Sequence, residues 1–169
     1  EIDINNIDKI ILEVPSRVRN MFVGQEFKVR EVPQIDAAFS LRFCVANVLL
    51  RKEIILEHFK DTLICEPEIA IIANKITLKE FSDQEKNRLA ARLKIIMKDG
   101  NEIISEVAFA KGAPAFSPLS TREIEEKFMK NVAYSKAITE KNAEKILNLI
   151  KNIEEVDKIS DLAKLLVTN

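Results

Sequence analysis

The sequence predicts an α+β fold: a small sheet containing an antiparallel pair, packed against helices and followed by helices alone. Three observations predict it. Residues 7–14, IDKIILEV, alternate Ile10, Leu12 and Val14 as a half-buried strand does, and Pro15 ends the run. Residues 92–109, RLKIIMKDGNEIISEVAF, set two β-rich runs about Asp99-Gly100. That dipeptide suits a type I′ hairpin turn, where both central residues need φ > 0. After Ser120 the apolar residues recur at helical spacing, with no further strand pattern.

The remaining elements follow in order. Residues 16–35 carry mixed charge with breaks at Gly24 and Pro33, and read as a long loop. A helix runs from about residue 37 to Arg51. LRKEIILEHF either continues it or opens a second helix. Asp61 to Pro67 is a connection, and Pro67 starts a short helix, PEIAIIANK, in its first turn. NKITLKEF, residues 74–81, alternates Ile76, Leu78 and Glu80 as a second strand. Ser82 and Glu85 stand at capping-box spacing, opening either a short helix or a polar loop. After the hairpin, AKGAPAFSPLS is a loop. Ser120 and Glu123 form a second capping-box pair ahead of TREIEEKFMKNVAY. A helix from Glu140 to about Asn152 places Ile146, Leu149, Ile150 and Ile153 on one face. A last one near Ser160 carries Leu162, Leu165 and Leu166. The expected division is an α+β domain over 1–135 and C-terminal helices over 136–169, whose apolar faces need a cover.

Composition narrows the function. The 169 residues suffice for an ordinary core, burying roughly 70% of the unfolded surface. Lys and Arg number 26 against 27 Asp and Glu, a net charge of −1, so no global field recruits nucleic acid or an anionic membrane. Aromatics are sparse at 6%, which further weakens nucleic-acid binding. No apolar run approaches the ~20 residues of a membrane span, and no leader pattern opens the chain. Cys44 and Cys65 lie in apolar contexts and read as reduced core thiols of a cytoplasmic protein. The chain opens on Glu1 and runs at once into patterned sequence, as a processed protein or an expressed fragment would.

Most catalytic signatures are missing. One histidine cannot build a His-based metal cluster, and there is no dinucleotide, P-loop, nucleophile-elbow or paired-cysteine motif. No metal and no cofactor is expected, and no residue stands out as catalytic. His58, ending EIILEHF, is either a helix-terminal histidine meeting carbonyls or solvent, or a catalytic base. Arg17, Arg19, Lys28 and Arg30 are either a solvated loop or an anion-contacting segment. The helix beginning AAFSLRFCVANVLLR is apolar nearly all round, yet Ser40, Cys44, Asn47 and Arg51 fall within about 60° of one another, with Phe43 on the flank. Such a stripe either packs against backbone or faces a cavity.

That stretch also resembles a family signature, A-x-F-S-x-x-(Tyr or Phe)-x-x-A-x-x-L, of the MmgE/PrpD family, which includes 2-methylcitrate dehydratase, cis-aconitate decarboxylase and iminodisuccinate epimerase. IDKIILEV, LICEPEIAIIANKITL and MKDGNEIISEVAFAKGAPAFSPLSTREIEEKF are similar to further family segments in the same order. The resemblance implies the α+β lid domain of an enzyme whose large all-helical domain is absent here, either truncated or carried on a split subunit. It implies cofactor-free proton abstraction beside a carboxylate of a small polycarboxylate, followed by elimination, decarboxylation or epimerisation, with this chain inactive alone. Ser40, Phe43 and Asn47 are then candidates to line the cleft between domains. Phe43 stands where several relatives have a tyrosine, so the hydroxyl's role does not carry over. The expected partners are that helical domain, the substrate and a second copy in a homodimer. The competing reading is a self-standing interaction or regulatory module, which would bury Ile146, Ile150, Leu162 and Leu165 against its own sheet.

Overall fold

The computed structural model describes residues 2–81 and 90–166. The Ser82–Glu85 capping pair lies outside them. The chain forms two compact units, residues 1–110 and 111–169. The 120–135 helix therefore groups with the helices after it, whereas the sequence expectation placed the boundary after 135. Val132 is buried within the second unit beside Ala143 and Ile146, which ties that helix to its successor.

The first unit is built on a mixed four-stranded sheet. Its strands are β1 (Ile7–Val14), β2 (Ile76–Glu80), β3 (Ala91–Met97) and β4 (Glu102–Val107), in the order β2-β1-β3-β4. β1 pairs in parallel with β2, setting Ile10 opposite Ile76 and Leu12 opposite Leu78. It pairs antiparallel with β3, which sets Ile10 opposite Ile95. Because side chains alternate across a strand, these residues form one buried apolar face. The opposite face is charged and ion-paired: Arg92 bridges Glu13 at 2.8 Å and Glu106 at 2.6 Å. This alternation fixes the register, since a slip of one residue would turn the apolar set to water.

Five helices connect β1 to β2: α1 (Ser16–Asn20), α2 (Pro33–Ala38), α3 (Leu41–Arg51), α4 (Asp61–Ile64) and α5 (Pro67–Asn74). Two of them correct the long loop expected over 16–35. α1 follows Pro15, and α2 has Pro33 at its first turn, where the missing N–H costs nothing. Another, α4, occupies the expected connection at 61–67. Helices this short show no repeating apolar stripe, so periodicity passes over them. α3 ends at Arg51 rather than running on: Lys52 adopts φ 70°, its N–H bonds Val48 O, and a 3-10 turn follows at Leu56–Phe59. α3 and α5 pack together, with Phe43, Ala46 and Leu49 meeting Ile69, Ile72 and Ala73 in the core.

The hairpin forms where expected, with a different turn. Only Gly100 has positive φ, at 87°, and Met97 N–H bonds Asn101 O at 2.8 Å. The loop is therefore three residues with glycine in the left-handed position, not a two-residue type I′ turn. Asp99 carboxylate oxygens accept from the Asn101 backbone and side-chain N–H groups, at 3.0 and 2.8 Å. These bonds hold the loop in its three-residue form.

The second unit contains α6 (Thr121–Ser135), α7 (Glu140–Lys151) and α8 (Ile159–Leu165). Ser120 and Glu123 form the expected capping box at the start of α6. Lys151 bonds Glu125 at 2.8 Å between α7 and α6. Ile146 is buried, but Ile150, Ile153, Ile159 and Leu166 remain 44–66% exposed. A groove of about 800 Å³ lies between α6 and α7, lined by Met129, Val132, Ala133, Ile138 and Leu147 with charged side chains at its rim.

Candidate functional site

The polar stripe of α3 divides into a capping end and an inner end. At the capping end, Ser40 is the N-cap and is itself buried: its Oγ accepts the Phe43 N–H at 3.2 Å, satisfying one of the helix's open donors. Ser40 also lines a shallow hollow with Phe22, Gln25, Lys28, Arg30 and Phe39. Phe22 and Phe39 are half-exposed, with ring centroids 6.5 Å apart, and the Arg30 guanidinium stands 5.8 Å from the Phe22 ring. The hollow, of about 10 Å³, thus combines aromatic faces, a hydroxyl and two cations with the two acids Glu26 and Asp36. Asp36 tethers its rim by accepting the Arg30 backbone N–H at 2.6 Å.

Phe43 lies directly beneath this end and is wholly buried. Its ring is 5.3 Å from that of Phe27 and 5.5 Å from that of Phe59, both tilted, the arrangement aromatic pairs favour. The structure places it in the core, not on an open surface.

Asn47 is also wholly buried. Its amide oxygen accepts from Arg51. Its amide nitrogen reaches the Glu53 carbonyl at 3.4 Å and His58 Nδ1 at 3.2 Å. Arg51 continues the network to the Leu63 carbonyl at 2.9 Å and to the Glu66 carboxylate. His58 therefore sets its Nδ1 against a buried amide, rather than meeting helix-end carbonyls. The stripe residues turn inward because residues 53–66 fold back over α3 from the left-handed turn at Lys52.

Arg42 is a structural strap that the sequence did not single out. It donates from Nη1 to the carbonyls of Gly24 and Gln25, at 2.7 and 2.6 Å, and from Nε to that of Ile76 at 3.3 Å. Burial pulls its pKa below the usual arginine value, opposed by the charge of Glu26. Two adjacent carbonyls on one side of Arg42 and a third on a distant strand leave no motif to read.

The basic residues of 16–30 are not one cluster. Arg19 pairs with Glu80 at 2.7 Å and Lys28 with Glu26 at 3.0 Å. Burial pushes the half-buried Cys44 thiol up, whereas Cys65 is exposed and so is not the core thiol expected of it. Among the described residues, no group of three His, Cys, Asp or Glu side chains is placed to hold a metal, and no helix is long and apolar enough to cross a membrane.

The family model for the MmgE/PrpD C-terminal domain matches residues 1–155, and the chain belongs to the MmgE/PrpD family. Human cis-aconitate decarboxylase is 26% identical over 167 residues, covering 95% of this chain and 32% of the relative. The chain thus spans about a third of the length of that curated relative.

Proposed function

We propose that this chain is the lid-type C-terminal part of a cofactor-free lyase or isomerase acting on a small polycarboxylate, as 2-methylcitrate dehydratase does, and that it is inactive alone. The observation that carries the reading is the family match over residues 1–155, set beside a relative about three times as long. The remaining length would supply an all-helical domain, which bears most of the catalytic groups.

In this reading the hollow at Ser40 faces the cleft between domains. Arg30 brings a guanidinium to its rim, Lys28 is paired with Glu26 there, and Ser40 marks the helix start. Phe43 backs the hollow as an aromatic wall beneath the surface, and Asn47 anchors α3 from behind. The exposed Ile150, Ile153, Ile159 and Leu166 await the helical domain or a second copy in a homodimer, in a cytoplasmic enzyme. A self-standing interaction module would bury Ile146, Ile150, Leu162 and Leu165 against its own sheet; Ile146 is buried but lies outside the sheet's core cluster, Ile150 is exposed, and Leu162 and Leu165 are only half-buried.

The test is reconstitution. The chain is combined with the separately expressed all-helical part of a family enzyme and assayed on 2-methylcitrate, cis-aconitate and iminodisuccinate. Turnover of one substrate by the pair, with none by the chain alone, is the expected result. A folded pair inactive on all three would overturn the enzyme reading and leave the interaction module.

A further inference from the structure

We infer that His58 is a proton-responsive latch, holding the 53–66 segment onto α3 only while its Nδ1 is unprotonated. The inference rests on the direction of each hydrogen bond around Asn47. Arg51 has only donors, and one of them points at the Asn47 amide oxygen. The Glu53 carbonyl can only accept, and it faces the amide nitrogen at 3.4 Å. The two together fix the amide so that its NH2 group faces His58 Nδ1 at 3.2 Å. Nδ1 must then accept, and the ring's own proton sits on Nε2. Among the described residues no buried side-chain nitrogen or oxygen lacks a partner and Nε2 has no bonding partner, so Nε2 reaches solvent.

A second proton has to enter at Nδ1. It would set N–H against NH2 inside a nearly closed site, since Asn47 is fully buried and His58 is 8% exposed. The amide cannot turn over to offer its oxygen, because its nitrogen would then meet the Arg51 donor. The surrounding acids are engaged elsewhere. Asp36 on α2 accepts from the Arg30 backbone, Asp61 on α4 from Gln34, Glu57 from Lys60, and Glu66, just before α5, from Arg51. Glu53 contributes its carbonyl to the same amide. Protonation therefore breaks the bond to Asn47 and puts a charge into a nearly closed site. The segment loosens from the helix that carries Ser40 and Phe43.

The test reads the folding of the full chain, so it stands apart from any assay of turnover. Nitrogen NMR of the imidazole ring at about pH 7.5 is expected to show the Nε2–H tautomer; the Nδ1–H tautomer would overturn the inference. Melting is then followed from about pH 7.5 to about pH 5.5, the range in which histidine changes charge in proteins. The wild type is expected to lose about 3–6 °C more than His58→Gln, whose amide oxygen still accepts from Asn47 but takes no proton. Equal losses would overturn it. Asn47→Asp offers the protonated ring an acceptor, so its melting point is expected to hold or rise over the same range; a fall like the wild type's would contradict the latch. Where a variant does not fold, the tautomer in the wild type decides.

Discussion

Ser40 and Phe43 are joined across the first turn of α3: the serine hydroxyl accepts the phenylalanine N–H at 3.2 Å, while the ring beneath is sealed between Phe27 and Phe59. One residue of the pair borders an open hollow and the other belongs to the core. In the proposed reading, any carboxylate bound at the hollow is held by a surface whose floor is an aromatic cluster. Stability and site geometry then share the same residues.

Replacing Phe43 by alanine removes a fully buried ring with neighbours on both sides. A loss of about 3–5 kcal/mol in urea unfolding is expected, from lost transfer energy and an unfilled cavity. A loss below about 1 kcal/mol would show that the cluster collapses to fill the space.

Glu123 gives a pH dependence with a defined sign. Its hydrogen bond to Lys111, then its bonds to the Ser120 backbone and hydroxyl, lower its pKa from 4.5 to about 2. The folded value lies below the unfolded one, so its contribution is full above about pH 4.5 and is lost as the pH falls towards about 2. Carboxyl NMR titration of Glu123 is expected to show the low midpoint. The double change Lys111→Ala, Ser120→Ala should return it towards the ordinary glutamate value. An unchanged midpoint would rule out these partners as the cause.

Much of this architecture was legible in the sequence, and what was not has identifiable reasons. β1, β2 and the hairpin follow from alternation, and α5, α6 and α7 from Pro67, the Ser120–Glu123 pair and helical spacing. Helices α1, α2 and α4 hold four to six residues each, too few for a 3.6-residue period to repeat. Of the expected stripe, Cys44, Asn47 and Arg51 lie on α3 while Ser40 caps it from outside, and the direction these side chains take was not readable. Asn47 meets His58 only because Lys52, a non-glycine residue, takes a left-handed conformation that sequence does not announce. The start of α3 was misplaced: the helix was expected from about residue 37, whereas Ser40 is its N-cap, the signal that a serine before an apolar run gives.

Gly24 is required by close approach rather than by its backbone angle. A methyl group there would overlap the Arg19 carbonyl oxygen and carbon. Gly24→Ala is expected to lower stability by about 1–3 kcal/mol and to disturb the Arg42 strap, which bonds the Gly24 carbonyl. A calorimetric melting point within about 1 °C of the wild type's would mean that α1 shifts freely.

The two thiols differ in reach. Cys65 is exposed, while Cys44 is half-buried with its pKa raised by burial. Since the thiolate is the reactive form, a disulfide reagent at neutral pH should modify Cys65 quickly and Cys44 only on unfolding. Equal rates for both would contradict the burial of α3.

The central claim is that this chain is one part of a larger enzyme whose remainder covers its exposed helical face. Light scattering after size exclusion tests it most directly, applied to the chain alone across a concentration series and then mixed with the all-helical part of a family enzyme. The expected result is a concentration-dependent dimer alone and a joint species on mixing, with the exposed apolar surface lost to a reporter dye. A monomer at every concentration that binds no dye and ignores the helical part would contradict the account and mark the chain as a complete module.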